Sequence, residues 1–89
     1  MAPTTRIRAH VQSVVDPDGA VLLDLKKGKY FSLNGIAADI WGGIEAGLTL
    51  PQIEARLAAS YDAPAGRLRA DVDSFVAQLA RAELIHAAG

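Results

Sequence analysis

The side chains of this 89-residue chain best suited to metal or proton chemistry are two histidines and ten acidic residues. A metal site needs several histidine, cysteine or carboxylate ligands, usually at short spacings. His10 and His86 lie far apart in the sequence and neither has such companions at ligand spacing, so they read as a strand-surface histidine and a tail histidine. There is no cysteine, which excludes a disulfide framework, a thiolate metal site and a cysteine nucleophile. Paired carboxylates for acid and base work could be sought in Asp16 with Asp18 or Asp71 with Asp73. The first pair belongs to a turn, and the second projects from two sides of a helix. Gly42-Gly43 lies inside a helical pattern rather than between a strand and a helix, so it makes no phosphate-binding loop. Close packing of helices is the expected use of these glycines. No catalytic residue, no metal and no cofactor is expected, and the chain reads as a binding protein rather than an enzyme.

With 9 basic and 10 acidic residues the formal net charge is −1, so no uniform field draws the chain to nucleic acid or to an anionic membrane. The start, Met1-Ala2-Pro3-Thr4-Thr5-Arg6, has no apolar run behind it that could serve as a signal. No segment approaches the roughly 20 apolar residues of a membrane span. A soluble, cytoplasmic protein is expected. Residues 1–89 read as a single domain, with 1–5 and 87–89 flexible.

The elements that would position a binding surface follow from periodicity. Ile7, Ala9 and Val11 alternate with Arg8, His10 and Gln12, the period-two pattern of a strand with one wet face. Asp16-Pro17-Asp18-Gly19 reads as a hairpin turn, with proline preset for its second position and glycine free to take positive φ. Val21 to Leu25 and Lys29 to Leu33 give the second and third strands. A three-residue loop, Lys26-Lys27-Gly28 with Gly28 left-handed, sets Val21, Leu23 and Leu25 on the face of Phe31 and Leu33 and turns Asp24, Tyr30 and Ser32 outward. Asn34 is placed to cap a helix through Ile36, Ile40 and Ile44, with Trp41 beside them and Gly47 at its end. Thr49-Leu50-Pro51-Gln52 is a capping box, with Leu48 and Ile53 at the staple positions. That second helix carries Leu50, Ile53, Leu57 and Tyr61 on one face and stops before Asp62-Ala63-Pro64. The third carries Leu68, Val72, Phe75, Val76 and Leu79 and is expected to fray near Glu83. The sum is an α+β, winged-helix-like domain: a three-stranded antiparallel sheet followed by a three-helix bundle. Its third strand lies at an edge of the sheet, where another chain can be received.

The run Val21-Leu22-Leu23-Asp24-Leu25-Lys26-Lys27-Gly28-Lys29-Tyr30-Phe31-Ser32-Leu33-Asn34, followed by Ile40-Trp41, by Thr49-Leu50 with Ile53, and by Asp71-Val72 with Phe75 and Leu79, resembles PqqD-like proteins. These are also called RiPP recognition elements, domains that bind leader peptides of ribosomally made natural products. The likeness spans Val11 to Ile85, and the Gly-x-Tyr-Phe-x-Leu-Asn form is most similar to the small free-standing proteins of lasso-peptide pathways. Glu83 departs from it, since relatives commonly have glycine before the final apolar pair, here Leu84-Ile85.

The resemblance implies that a leader adds as an antiparallel strand along Lys29, Tyr30, Phe31, Ser32 and Leu33, in a groove shared with the third helix at Arg67, Leu68, Asp71, Val72 and Phe75. Plain core packing accounts for most of Phe31, Leu33, Leu68, Val72 and Phe75. A helical wheel leaves two flanks open, Arg67 with Asp71 or Arg69 with Asp73; the first is preferred because Asp71 falls at a characteristic acidic position of the family. Lys27 and Lys29 could attract an acidic leader, although lysines on an edge strand also block aggregation. The implied partners are a precursor leader peptide, a separate leader peptidase of the transglutaminase-like cysteine protease type and the macrocyclase. A monomer is expected, with pairing of two copies through the open edge as the variant. Two other functions fit parts of the pattern. The second and third helices could form a DNA-binding helix-turn-helix with Arg67 and Arg69 near the start of the recognition helix, but Asp71 and Asp73 lie in the next turn. Within the family, the chain could instead serve a radical-SAM maturase such as the enzyme of pyrroloquinoline quinone synthesis; Tyr30-Phe31 weighs against it.

Overall fold

The alternation over Ile7 to Gln12 is split in two. In the computed structural model, which describes residues 5–86, Arg6–Ile7 forms a short strand, β1, the chain turns at Ala9-His10, and strand β2 runs Val11–Asp16. The expected flexible start stops short of Thr5, which is buried; residues 1–4 and 87–89 lie outside the described residues. Asp16 and Gly19 face each other across Pro17-Asp18, the expected turn, which joins β2 to β3 (Gly19–Asp24). Close approach requires this glycine: a Cβ at Gly19 would sit 2.1 Å from the carbonyl oxygen of Leu33.

Strand β4 (Lys29–Leu33) pairs antiparallel with β3 in a register one residue away from the expected one. Asp24 stands opposite Lys29, Leu22 opposite Phe31 and Ala20 opposite Leu33, so the loop is Leu25 to Gly28 rather than Lys26 to Gly28. Gly28 is left-handed, as expected, with φ 68°. The face shared with Phe31 and Leu33 is built by Ala20, Leu22 and Asp24, and not by Val21, Leu23 and Leu25. Leu22 is fully buried, whereas Leu25 is 59 % exposed. The physical reason is Asp24, which was expected to point outward and is instead buried. Its carboxylate accepts hydrogen bonds from the backbone N–H groups of Lys26 and Lys27, both at 3.0 Å, and lies 3.6 Å from Nε2 of His10. The Lys27 bond leads in holding the Asp24 carboxyl below the usual carboxylate range, against the opposing effect of burial and with help from Lys26 and His10. A carboxylate that folds its own loop can fill an inward position that patterning reserves for an apolar side chain.

The helices follow their caps. α1 (Gly35–Glu45) begins after Asn34, which takes the extended N-cap conformation without a side-chain cap bond, and the left-handed Gly47 (φ 80°) lies just beyond its end. At the start of α2 (Leu50–Ser60), Thr49 Oγ1 accepts from the Gln52 N–H at 3.3 Å and Gln52 Oε1 accepts from the Thr49 N–H at 2.9 Å, the expected capping box. Pro64 occupies the N-cap of α3 (Ala65–Arg81). Of the paired glycines only Gly43 serves helix packing: a Cβ there would meet Ile53 of α2 at 2.6 Å, and one at Gly42 would meet nothing within 4 Å. α1 packs against β3, β4 and α2, and α2 against α3. One core joins Leu22 to Ile40, Trp41, Ile53, Leu57 and Val72. No helix among the described residues is long and apolar enough to cross a membrane.

Instead of fraying at Glu83, α3 stops there in a Schellman motif. The Leu84 N–H donates to Leu79 O at 3.0 Å and the Glu83 N–H to Ala80 O at 3.1 Å. Glu83 is left-handed at φ 60°, alone among the described non-glycine residues in having positive φ. The stop sends Leu84 and Ile85 into the core, and Ile85–His86 forms β5, paired antiparallel with β1. A left-handed side chain costs about 1 kcal/mol. Glu83→Gly is therefore expected to raise Tm by about 4–8 °C in thermal unfolding. A lower Tm would show that the contact of Glu83 with Lys27, at 3.8 Å, outweighs the strain.

Candidate functional site: a free strand edge beside a groove

Along an antiparallel strand, successive residues point their backbone N–H and C=O to alternate sides. The Leu25 N–H donates to His10 O at 2.9 Å, so Leu25, Leu23 and Val21 address β2, and Asp24, Leu22 and Ala20 address β4. Lys29, Phe31 and Leu33, which stand opposite the latter, bond back to β3. Tyr30 and Ser32 are left with N–H and C=O directed away from the sheet, because β4 is the last strand in the order β2-β3-β4. The edge therefore offers two donors and two acceptors at alternate residues.

The side chains divide by the same rule. Tyr30 stands on the outer face, 71 % exposed, and Ser32 shares that face. Phe31 and Leu33 are half-buried against the core, and Lys29 is exposed at the start of the strand. Where β4 passes into α1, a groove of about 260 Å³ opens, lined by Asn34, Ile36, Ala37 and Ile40 on one side and by Asp71, Ser74, Phe75 and Gln78 of α3 on the other. Its floor is apolar and its rim polar. Of the residues expected on α3, Asp71 and Phe75 line the groove, and Arg67 stands beside it with Nε 4.0 Å from Asp71 Oδ2. Leu68 and Val72, expected at the groove, are core residues, 1 % and 0 % exposed; they hold α3 in place from beneath. Arg69 and Asp73 do not line it. Sequence reasoning misses Ile36, Ala37, Ser74 and Gln78. The spacing of Asp71, Ser74, Phe75 and Gln78 is that of one helical face, and it is the signal that could have found the α3 pair.

Among the described residues no group of His, Cys, Asp and Glu converges as metal ligands. His10 lies in a turn beside Asp24 rather than on a strand, and His86 is exposed on β5. A larger depression of about 560 Å³ is framed by the β2–β3 turn, α1 and α2. There the Tyr61 hydroxyl donates to Asp39 Oδ2 at 2.5 Å, and this bond raises the Tyr61 pKa. The β4 edge and its groove are suited to binding: an extended peptide can pair with Tyr30 and Ser32 and lay a side chain on the Ile36 and Phe75 floor.

Residues 19–85 match the family model described as coenzyme PQQ synthesis protein D (PqqD). The chain belongs to the PqqD family. No match was found among curated proteins. Among solved structures, this PqqD-like domain is similar to one described as TbiB1 in complex with the TbiA(beta) leader peptide, at 30 % identity over 94 % of this chain and 98 % of that one, with a TM-score of 0.89. A structure described as lasso peptide synthetase B1 complexed with the leader peptide shares the fold at 24 % identity, covering 92 % of this chain and 96 % of that one, with a TM-score of 0.85. The expected α+β architecture and the likeness to PqqD-like RiPP recognition elements are both borne out.

Proposed function

We propose that this PqqD-family domain binds the leader region of a ribosomally made precursor peptide by strand addition to the outward edge of β4. It then delivers the precursor to a separate leader peptidase and a macrocyclase in the cytoplasm, without catalysing a step itself. The observation that carries this reading is the unpaired backbone of Tyr30 and Ser32 beside a groove, in a chain 30 % identical over 94 % of its length to TbiB1, which was solved with a leader peptide. Four main-chain bonds at about 0.5–1.5 kcal/mol each would give only about 2–6 kcal/mol. Ordering a disordered leader takes about as much. Side chains must therefore supply the surplus affinity and the specificity, and an aromatic or proline of the leader fits the apolar floor between Ile36 and Phe75. Exposed Lys29 would speed capture of an acidic leader. The lasso-peptide setting rests on the Gly-x-Tyr-Phe-x-Leu-Asn form. The family description favours a second reading, an accessory of a radical-SAM maturase in PQQ synthesis; the precursor that binds distinguishes the two.

The test is a titration of the labelled domain with the leader half of its precursor, followed by backbone amide shifts in NMR. Shifts at residues 29–33 and along Asp71, Ser74, Phe75 and Gln78 are expected. Saturating peptide without shifts would reject leader binding, and shifts at residues 11–15 instead would move the peptide to the other edge of the sheet. Asp71→Lys is expected to change leader affinity by about threefold to tenfold, since it reverses a charge on the groove rim. Asp73→Lys is expected to leave it unchanged. Isothermal titration of both variants checks this, and an effect of Asp73→Lys alone would place the leader on the opposite flank of α3.

A further inference from the structure

The sheet has a second free edge, on β2, built unlike the first. By the same alternation Gln12 and Val14 bond to β3, and Val11, Ser13 and Val15 turn their backbone groups outward. The Val11 N–H is already taken by Arg8 O at 3.1 Å. Among the described residues, the N–H and C=O of Ser13 and Val15 and the C=O of Val11 are left without backbone partners. Natural edges are blunted by charge; Lys29 opens β4, whereas β2 carries charge only at its last residue, Asp16, and beside Ser13, whose Oγ donates to Glu45 Oε2 at 2.7 Å. Val14 and Val15, on opposite faces, are 58 % and 68 % exposed. A six-residue edge with bare β-branched side chains on both faces is a pairing surface.

We propose that β2 pairs antiparallel with β2 of a second copy of this chain, about a two-fold axis at Val14. The available donors set the register. Ser13 of each copy stands opposite Val15 of the other, and the reciprocal bonds satisfy every free N–H and C=O of both residues. Val14 then faces Val14 of the partner copy at a non-hydrogen-bonded position, where Cα atoms approach to about 4.5 Å and β-branched pairs stabilise the sheet. An axis at Ser13 would call on the Val11 N–H, which Arg8 holds. The occupant is a second copy because the strand complements itself in this register: position 16 falls opposite Gln12, and no like charges meet. The joined sheet runs β4-β3-β2 into β2-β3-β4, with a free β4 edge at each outer end. The contact is small, so assembly belongs to high protein concentration.

Sedimentation from micromolar to millimolar protein tests this, and a monomer–dimer equilibrium is expected. Val14→Lys sets two ammonium groups opposite each other and is expected to weaken the dimer by at least about tenfold, with leader affinity unchanged. Val14→Cys, in a chain with no other cysteine, is expected to form an intermolecular disulfide on oxidation, because the Cα spacing suits one. Tyr30→Cys is expected to cross-link far more slowly. A monomer at millimolar concentration, a dimer indifferent to Val14→Lys, or cross-linking no faster at position 14 than at position 30 would overturn the proposal. Leader binding by Val14→Lys is read separately, so failure of the dimer and failure of leader recognition are distinguishable.

Discussion

Ser32→Pro is expected to lower leader affinity by about tenfold or more while the domain still folds. The backbone alternation points the Ser32 N–H out of the sheet, so proline removes a donor from the edge and sets its ring where an incoming carbonyl would lie. The bonds from Lys29, Phe31 and Leu33 to β3 stay in place. Proline is tolerated on an edge strand when its missing N–H would have faced solvent. The same change one residue earlier, Phe31→Pro, removes a ladder bond beside Leu22 and is expected to unfold the sheet. Isothermal titration with the leader and thermal melts separate the two. Unchanged affinity in folded Ser32→Pro would reject pairing at β4, and a fully stable Phe31→Pro would reject the alternation itself.

Gly19→Ala is expected to cost about 2–4 kcal/mol of stability, a fall in Tm on the order of 10–20 °C for a domain this size. The added carbon would lie 2.1 Å from the carbonyl oxygen of Leu33 and 3.3 Å from its carbonyl carbon. These are backbone atoms and cannot turn aside. Leu33 ends β4, so relief must come from moving the strand next to Asn34, the N-cap of α1, where the groove opens. Leader affinity is expected to fall with stability. Gly42→Ala is the contrast: its Cβ meets nothing within 4 Å, and better helix propensity is expected to add about 0.5–1 kcal/mol. Circular dichroism melts measure both. A Tm for Gly19→Ala within a few degrees of the parent would mean that the end of β4 yields easily.

The helices were legible because their signals are local. The Thr49 and Gln52 capping box, the left-handed Gly47 and the stripe from Leu68 to Leu79 stand where the pattern puts them. The sheet register was misread by one residue because a rule of apolar-in and polar-out has no place for Asp24. That carboxylate is inside, where Oδ1 accepts from two N–H groups of its own loop and His10 Nε2 lies 3.6 Å away without a hydrogen bond, and its position sends Leu25 to the surface. The β1 and β5 pair was invisible because two-residue strands carry no periodicity. Glu83 departs from the family's pattern at a glycine position, and the structure supplies the reason glycine belongs there: the backbone is left-handed. At the site, the free edge could be read from strand order alone. The groove could not, since half of it comes from the first turns of α1, whose Ile36 and Ala37 carry the ordinary marks of a core face.

The pairing of Arg6 with His86 and of Ile7 with Ile85 brings the first and last strands side by side. A short connection from His86 to Arg6 would close residues 6–86 into a ring, and the ring could be reopened at exposed Asp62, between α2 and α3, without touching β4. The domain could be carried inside a larger enzyme, entering and leaving at one point of its surface, as readily as it could be attached to it by a tail.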